Sequence, residues 1–423
     1  MDMSPLIVRP LASAEEYAIF FRLADTAFSA EPSEESAQRW QHLLTHRPDF
    51  HPDELRGAFY NDQLMGGYIL YDRVLCMGMA RLATGCIGAV VTAPDNRKQG
   101  VASALMRDSQ DRAREKNFAL LLLDGIPKFY YRYGYTNMFD ASAVDVDRSA
   151  ILAQAPSAHR VRSATVDDAP VLLALYQRHL QPYTGSFARS LESQTYSLSN
   201  MRTPLLVAVS PEGLVEGYLF HRTGEEMSHG IEIAAENRDA LLALLQHHAH
   251  LFAEDAAPKA LHYFLPLDAP MVQWMVDVLE VPDTSQWTHP SLEWGVLTQS
   301  YHHRFTGWMA CLTSFPILMR SILPELQARW QRGLAQWSGE IALTVNGETR
   351  TLHINGPEIQ LTKHNSAAAS HLELTPQAMI QWVFGYRPLS QLTSIAHLSS
   401  DASAALAMLF PRDHTWIPMT DWF

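Results

Sequence analysis

Cysteine is scarce in this sequence, where three residues, Cys76, Cys86 and Cys311, are spread over 423 positions. So few and so widely spaced thiols exclude a disulfide framework and a thiolate zinc site. Apolar runs are short, Phe118–Leu123 being among the longest, whereas a membrane span needs roughly 18–20 residues. The first residues lack the basic stretch of a secretory signal. We therefore expect a cytoplasmic protein with no membrane span.

Positive charge is also in deficit, because 32 Lys and Arg residues face 45 Asp and Glu residues and leave a net charge of −13. This balance argues against nucleic acid as a partner and favours cationic ones. Walker, G-x-G-x-x-G, G-x-S-x-G and H-E-x-x-H motifs are all missing. The neighbouring His247, His248 and His250 lack a carboxylate at ligating spacing, so we expect solvated or capping roles for them and no metal.

The length of 423 residues predicts two to four domains. A strand at Ile7–Pro10 precedes a capping box, Ser13-x-x-Glu16, and an amphipathic helix. Strands are predicted for residues 57–60, 65–71 and 86–92, and the apolar run 118–123 is typical of a strand buried on both faces. These elements predict a first α+β domain over residues 1–150.

The same order of features returns further along the chain. Val161-Arg162 matches the first strand, Thr165-x-x-Asp168 matches the capped helix start, and strands are predicted for residues 205–210 and 215–221. The second copy has no counterpart of Lys98-Gln99-Gly100. We therefore predict a duplicated, degenerate domain over residues 151–295.

A third domain of a different pattern is predicted over residues 296–423. Residues 308–323 are interpreted as one or two apolar helices. Asn346-Gly347 between two alternating runs predicts a tight hairpin, and Thr375-Pro376 predicts a helix start.

The junction of strand 86–92 with the following helix carries the sharpest motif, Arg97-x-x-Gly100-x-Ala102. Small residues allow close backbone approach, and free amides at a helix N-terminus favour an anion, here a phosphate or pyrophosphate. An ordinary left-handed turn with a solvated basic pair is the structural alternative.

The element order together with this motif resembles the GNAT superfamily of acetyl-CoA-dependent N-acetyltransferases. The resemblance implies that the strand contacts the acetyl-pantetheine arm of acetyl-CoA and that the motif holds its pyrophosphate. The implied coenzyme-binding residues are Val90, Val91, Thr92, Arg97, Lys98, Gln99, Gly100, Val101, Ala102 and Ser103.

A narrower resemblance follows from Tyr130-Tyr131-Arg132-Tyr133-Gly134-Tyr135 and from a chain that ends in Phe423. It is to the Eis (enhanced intracellular survival) family, which acetylates aminoglycoside amines. It implies an α+β fold of two tandem GNAT domains, the second degenerate, and a sterol-carrier-protein-like domain. Tyr130 would be the acid and the terminal carboxylate of Phe423 the base, while Asp25 and Trp40 would receive the cationic substrate. A homo-oligomer, with a hexamer as the suggested form, is implied too.

These features predict an N-acetyltransferase acting on a primary amine of an aminoglycoside, polyamine or lysine. Two alternatives stay open: a lipid-binding protein with a vestigial coenzyme A-sensing GNAT domain, and a structural assembly protein. A fold alone does not decide between them, since function depends on the site.

Overall fold

The fold is known from a computed structural model that describes residues 6–126, 128–200, 205–222, 224, 227–253, 257–279, 297–302, 307–334, 336–363, 370–413 and 415–423. The described residues group into two compact units. The first draws on residues 1–138 and 305–413 together with Phe423, and the second on residues 139–304 and 414–422.

Mixed α and β elements run through both units. The helices of the described residues are α1 (Ala14–Phe28), α2 (Glu34–Thr45), α3 (Val101–Glu115), α4 (Arg148–Leu152), α5 (Ala169–His179), α6 (Leu191–Asn200), α7 (Arg238–His250), α8 (Pro270–Val278), α9 (Phe315–Arg332), α10 (Pro376–Val383) and α11 (Ser400–Leu409). The strands are β1 (Ile7–Pro10), β2 (Leu55–Tyr60), β3 (Gln63–Met77), β4 (Ala80–Thr92), β5 (Leu120–Asp124), β6 (Thr136–Asn137), β7 (Ala141–Asp147), β8 (Arg160–Ser163), β9 (Leu206–Val209), β10 (Val215–His221), β11 (His229–Ala235), β12 (Ala260–Tyr263), β13 (Leu297–His302), β14 (Trp308–Leu312), β15 (Gly339–Val345), β16 (Glu348–Asn355), β17 (Glu358–Thr362), β18 (Ser370–Leu374) and β19 (Ser394–His397).

The first unit contains a mixed sheet in the order β1-β2-β3-β4-β5-β14-β6. Its neighbours are antiparallel except for β4 and β5, which run parallel. The predicted helix start is confirmed, since the Ser13 hydroxyl accepts a bond from the Glu16 amide. Leu120–Leu123 are buried, as their continuous apolar run predicted.

The second unit contains a sheet in the order β8-β9-β10-β11-β12-β7-β13. Strand directions repeat those of the first sheet, with one parallel pair, β11 and β12. The second capping box is confirmed, because Thr165 and Asp168 exchange bonds at the start of the short turn before α5. Both sheets therefore share one strand order and one pattern of strand directions.

A five-stranded sheet in the order β17-β16-β15-β18-β19 also lies in the first unit. The predicted hairpin is confirmed, with φ of 49° at Asn346 and 78° at Gly347 between β15 and β16. Thr375 caps α10 as predicted, and Pro376 opens that helix.

The prediction of helix over residues 308–312 was wrong. This run is strand β14, which pairs with β5 from Trp308↔Asp124 to Leu312↔Leu120. A short apolar run has the same pattern in a buried strand and in a buried helix. The helix begins only at Phe315, after the Ser314 cap.

Three strands cross the predicted domain limits, because β7 and β13 join the second sheet and β14 joins the first. The boundaries 1–150, 151–295 and 296–423 stay predictions. In the part of the chain that the structure describes, no helix is long and apolar enough for a membrane span.

Candidate active site

Strand β4 separates from β5 halfway along its length. The two strands pair only from Thr84 to Ile87 of β4. A bulge at Ala89 and Val90 then shifts the register against β3, and Ala89 has a φ of 49°. A bulge bends and twists its strand away from a neighbour, which opens a gap between β4 and β5 beyond Ile87.

The predicted pantetheine-binding residues lie along this gap. Val90 and Thr92 are half-buried and Val91 is buried. Val91 and Thr92 still pair with Gly67 and Gly66 of β3. Their stretch of β4 thus has a fixed backbone on the β3 side and no β5 pairing on the other.

The predicted phosphate loop forms the turn into α3. Lys98 has a φ of 64° and Gly100 a φ of 84°, and a β-carbon at position 100 would have no atom within 4 Å. Gly100 caps the helix without a side-chain bond, and the first turn holds no acidic residue. The amides of this turn are therefore free to bind an anion, and an open surface faces them.

The loop side chains divide into exposed and buried groups. Arg97 and Lys98 are exposed, while the Gln99 amide donates to the Asp95 carbonyl at 3.0 Å. Val101 is buried in the core, and the Ser103 hydroxyl lies 2.9 Å from the Tyr133 hydroxyl. The cations and backbone amides, rather than Val101 or Ser103 side chains, suit a diphosphate.

A partly buried ion pair holds α3 against the sheet. The Arg56 guanidinium on β2 donates twice to the Asp108 carboxylate on α3, at 2.6 and 2.7 Å. The Tyr68 hydroxyl, opposite the β4 bulge, donates to the same carboxylate at 2.7 Å. These bonds set where the N-terminus of α3 points relative to the splayed strand.

Tyr130 opens a 3-10 turn, Tyr130–Tyr133, that ends at Gly134. Its side chain is buried, and its ring contacts the rings of Phe129 and Tyr135, with centroids 4.9 and 5.9 Å away. The Gln110 amide on α3 donates to the Tyr133 carbonyl at 2.7 Å and fixes the turn. The turn that contains Tyr130 is thus hydrogen-bonded to α3, and the predicted phosphate loop leads directly into the same helix.

Burial, with the Asp124 carboxylate and Tyr133 nearby, raises the pKa of Tyr130 to about 12. The hydroxyl therefore keeps its proton throughout the physiological pH range. Asp124 itself ends β5, and partial desolvation raises its pKa although the side chain still meets solvent.

Phe423 is the other predicted catalytic residue. Its ring contacts Trp308 of β14 and Tyr71 of β3, with centroids 5.2 and 5.8 Å away. A β-carbon at Gly88 would lie 3.3 Å from the Phe423 carboxyl carbon and 3.6 Å from a carboxyl oxygen. The terminal carboxyl group therefore lies against β4, one residue beyond its last pair with β5.

Sequence reasoning missed the residues that receive this terminus. Gly88, Tyr71 and Trp308 come from three strands, and no local motif marks them. Asp124 could have been found from the sequence, because it is the polar last residue of an otherwise buried strand. The end of that strand borders the gap.

The predicted substrate residues have other neighbours. Asp25 is buried, and its two oxygens accept bonds from the Ser33 amide at 2.9 Å and the Ser36 hydroxyl at 2.7 Å. These bonds hold the connection between α1 and α2, a structural role. Trp40 is half-buried and packs edge-on against Phe21 and Phe28.

No group of three or more His, Cys, Asp or Glu side chains in the described ranges has metal-binding geometry. His248, expected to be solvated, is buried. That expectation was wrong, because its ring packs under Tyr263 rather than facing solvent.

A bulged strand that leaves its parallel neighbour, followed by an uncapped helix start, defines a GNAT-like α+β domain. Residues 8–138 match the family model of the acetyltransferase (GNAT) domain. None of the curated proteins matches the sequence.

Solved structures extend the similarity of fold to the whole chain. A protein of unknown function from Enterococcus faecalis, a probable N-acyltransferase, is 16% identical over 99% of this chain and 100% of its own, with a TM-score of 0.74. A GCN5-related N-acetyltransferase from Kribbella flavida is 16% identical over 99% and 100%, with a TM-score of 0.70. Eis1 from Mycobacterium abscessus is 16% identical over 98% and 100%, with a TM-score of 0.63.

Proposed function

We propose that the chain is an Eis-like N-acetyltransferase that moves an acetyl group from acetyl-CoA to a primary amine of a cationic substrate. The observation that carries the proposal is the Phe423 carboxyl group, which lies against Gly88 where β4 leaves β5. The likeness in fold to Eis1 supports it. In this proposal the substrate is an aminoglycoside-like amine, a polyamine or a lysine.

The proposed layout has three parts. A catalytic GNAT domain comes first, a degenerate GNAT-like domain second, and a sterol-carrier-protein-like domain carries the C-terminus. The repeated strand order of the first two sheets supports the duplication. A cytoplasmic homo-oligomer, with six copies as the suggested form, completes the proposal.

Acetyl-CoA fits the observed residues. The free amides from Gly100 onward, with the exposed Arg97 and Lys98, would hold its pyrophosphate. The unpaired side of β4 from Gly88 to Thr92 would hold its pantetheine arm. When bound, the coenzyme supplies an acetyl group activated as a thioester.

The amine needs a base before it can attack, since an alkylammonium has a pKa near 10. The Phe423 carboxylate would take this proton, directly or through water, at the end of the β4 gap. A backbone amide of the bulged strand would polarise the thioester carbonyl in the manner of an oxyanion hole. As the new C–N bond forms, the C–S bond breaks.

Tyr130 would act on the departing sulfur. Its hydroxyl has a pKa of about 12, whereas an ordinary thiol has a pKa of about 8.5. The hydroxyl therefore stabilises the thiolate by donating a hydrogen bond. The second proton lost by the nitrogen finishes on that sulfur and balances the reaction.

The substrate's positive charge suits an acidic chain, whose net charge is −13. Trp40 can offer a ring edge or face to a cation, and its neighbours leave it partly exposed. Asp25 would act at longer range, because both its oxygens already accept bonds.

The test is thiol release from acetyl-CoA by protein with an unmodified C-terminus, assayed against aminoglycosides, polyamines and lysine peptides. We expect turnover with at least one amine. One glycine added after Phe423 displaces the carboxylate and should lower kcat about 100-fold, within the range for lost general base catalysis. One glycine added at the N-terminus is the matched control. A wild type that neither binds acetyl-CoA nor turns over any amine contradicts the proposal and favours the lipid-binding alternative.

A further inference from the structure

A buried cluster of charges in the second unit surrounds Arg189. Its Nη1 and Nη2 donate to the two oxygens of Glu232 at 2.9 and 2.6 Å. Its Nε donates to Asp421 Oδ1 at 3.0 Å, and Nη2 also donates to the Thr420 hydroxyl at 2.8 Å. Arg189 thus binds one carboxylate of strand β11 and two residues near the end of the chain.

Two tyrosines complete the cluster. The Tyr218 hydroxyl donates to Glu232 at 2.6 Å. The Tyr176 hydroxyl, which donates to the Phe187 carbonyl at 2.7 Å, also lies 3.2 Å from Asp421 Oδ2. The Arg189 guanidinium stacks over the Tyr176 ring, 3.6 Å from its centroid. The Glu232 and Asp421 side chains are 3% and 6% exposed, so both carboxylates that bind Arg189 are buried.

Chain termini are ordinarily frayed unless something ties them down. The segment of residues 416–421, called the tail below, is also held at its first residue. The Trp416 amide donates to the Thr184 carbonyl at 2.8 Å, and the Trp416 side chain is buried. Residues from Trp416 to Asp421 are therefore anchored at both ends within the second unit.

The anchor uses a particular stretch of the second sheet. β11 pairs with its parallel neighbour β12 only at His229 and Gly230, and Glu232 lies just beyond. In the first sheet the matching stretch of β4 begins at Gly88, beyond its last pair with β5. In the second sheet, the stretch of β11 that corresponds to the proposed thioester-binding stretch of β4 is therefore bonded to Thr420.

Phe423 is two residues beyond Asp421, and two residues span at most about 7 Å. Fixing Asp421 therefore restricts where the Phe423 carboxylate can lie. We propose that Arg189, through Asp421, is a positioning residue for the Phe423 carboxylate. This inference rests on the proposed function, in which that carboxylate is the base.

Asp421→Asn tests the anchor with little risk to folding. It removes one of two carboxylates that share Arg189 and leaves the Arg189–Glu232 ion pair intact. The control is Asp168→Asn, which neutralises another buried carboxylate of the second unit, one that pairs with the exposed Arg162.

The first readout does not depend on activity. Carboxypeptidase should release Phe423 and Trp422 at least about tenfold faster from Asp421→Asn than from wild type or Asp168→Asn, because cleavage follows the population of the open tail. Equal release from all three proteins would overturn the anchor.

The second readout separates positioning from general damage. Asp421→Asn should lower kcat at pH 7 by about tenfold or more, since small displacements of catalytic groups are costly, while the KM for acetyl-CoA stays within twofold. The loss should shrink as the pH approaches the amine's own pKa, because a free amine needs no base. A loss that is constant with pH, or shared by Asp168→Asn, overturns the positioning role. Absence of turnover in wild type would instead overturn the proposed function and the catalytic half of this inference, and the carboxypeptidase result would still decide the anchor.

Discussion

The charge state of Tyr130 decides what the residue can do at the sulfur. Burial raises the pKa of its hydroxyl to about 12, so deprotonation begins only well above the working range. The proton is therefore present whenever a thiolate departs. The same burial keeps water from competing for that hydrogen bond.

Tyr130→Phe should lower kcat by about 100-fold, because the departing thiolate loses its hydrogen-bond donor, with little change in coenzyme affinity. Rates measured from pH 6 to 10.5 should show no descending limb from Tyr130 in the wild type, because the pKa lies above this range. The control is Tyr131→Phe, whose exposed hydroxyl bonds Asn137 at 3.2 Å. A wild-type limb near pH 9 that Tyr130→Phe abolishes would contradict the assignment.

Part of the candidate site can be proposed from residue identity alone. Arg97, Gly100 and Tyr130 belong to short motifs whose geometry is set by their own neighbours, so the sequence marks them as candidates. The partners of Phe423 include Gly88 and Trp308, which both lie more than 100 residues away along the chain. Their meeting depends on strand pairing, and one chain's local pattern carries no information about that.

The proposed binding of the acetyl-CoA diphosphate depends on the N-terminus of α3. Gly100 has a φ of 84°, with open space where a side chain would go. Asp and Asn both tolerate this left-handed conformation better than other residues. They differ in charge and hardly in shape.

Gly100→Asp should therefore raise the KM for acetyl-CoA about tenfold more than Gly100→Asn does, through repulsion of the phosphates at an exposed site. The difference should narrow in 0.5 M salt, which screens exposed charges. Steady-state kinetics of the two variants measure it. Equal KM values at low salt would mean that the phosphates bind elsewhere.

Helix α7 carries a histidine that couples folding to pH. His248 is buried, with Nδ1 3.0 Å from the Tyr263 hydroxyl and Nε2 2.7 Å from the Met227 carbonyl oxygen. Burial, reinforced by His221, lowers its pKa to about 4. The unfolded chain, with an ordinary pKa near 6.5, takes up the proton first.

The stability that His248 contributes is therefore complete above pH 6.5 and is lost as the pH falls toward 4. From pH 7 to pH 5 this one group should cost about 2 kcal/mol in the free energy of unfolding. Denaturant unfolding of wild type and His248→Gln at both pH values measures it. The variant should lose about 2 kcal/mol less over this interval, and an identical loss in both proteins would rule the coupling out.

At the scale of the molecule, the sequence predicted the repeated order of elements. It did not predict that each sheet includes a strand from outside its predicted domain. The order of capped helices and hairpins is local and shows in both copies. The sixth strand of each sheet comes from outside its copy, β14 in the first and β7 in the second. Such pairings depend on how much surface a whole strand buries against its neighbours. The apolar run 308–312 could therefore not be assigned to a strand or to a helix from its own residues.

The two sheets have the same strand order but differ beyond the last parallel pair and at the following helix start. We expect this difference to set the number of coenzyme sites. In the first sheet, the stretch beyond the last β4–β5 pair is followed by a free helix start at Gly100. In the second, the helix start is capped by the Asn237 side chain, which accepts from the Ala240 amide, and Glu232 bonds the tail. Neither the anion site nor the strand edge is left for a second coenzyme.

Calorimetric titration with coenzyme A should therefore give one site per chain, and Gly100→Asp should weaken that single site. A free helix N-terminus and an open strand edge are both needed for a long, anionic thiol ester. In the described part of the second sheet, the helix start is capped and Glu232 is bonded to Thr420, so we expect that Asn237→Ala alone does not create a site. A stoichiometry of two per chain would show that the second sheet binds coenzyme despite its cap and tail, and the proposed division of labour between the two copies would be wrong.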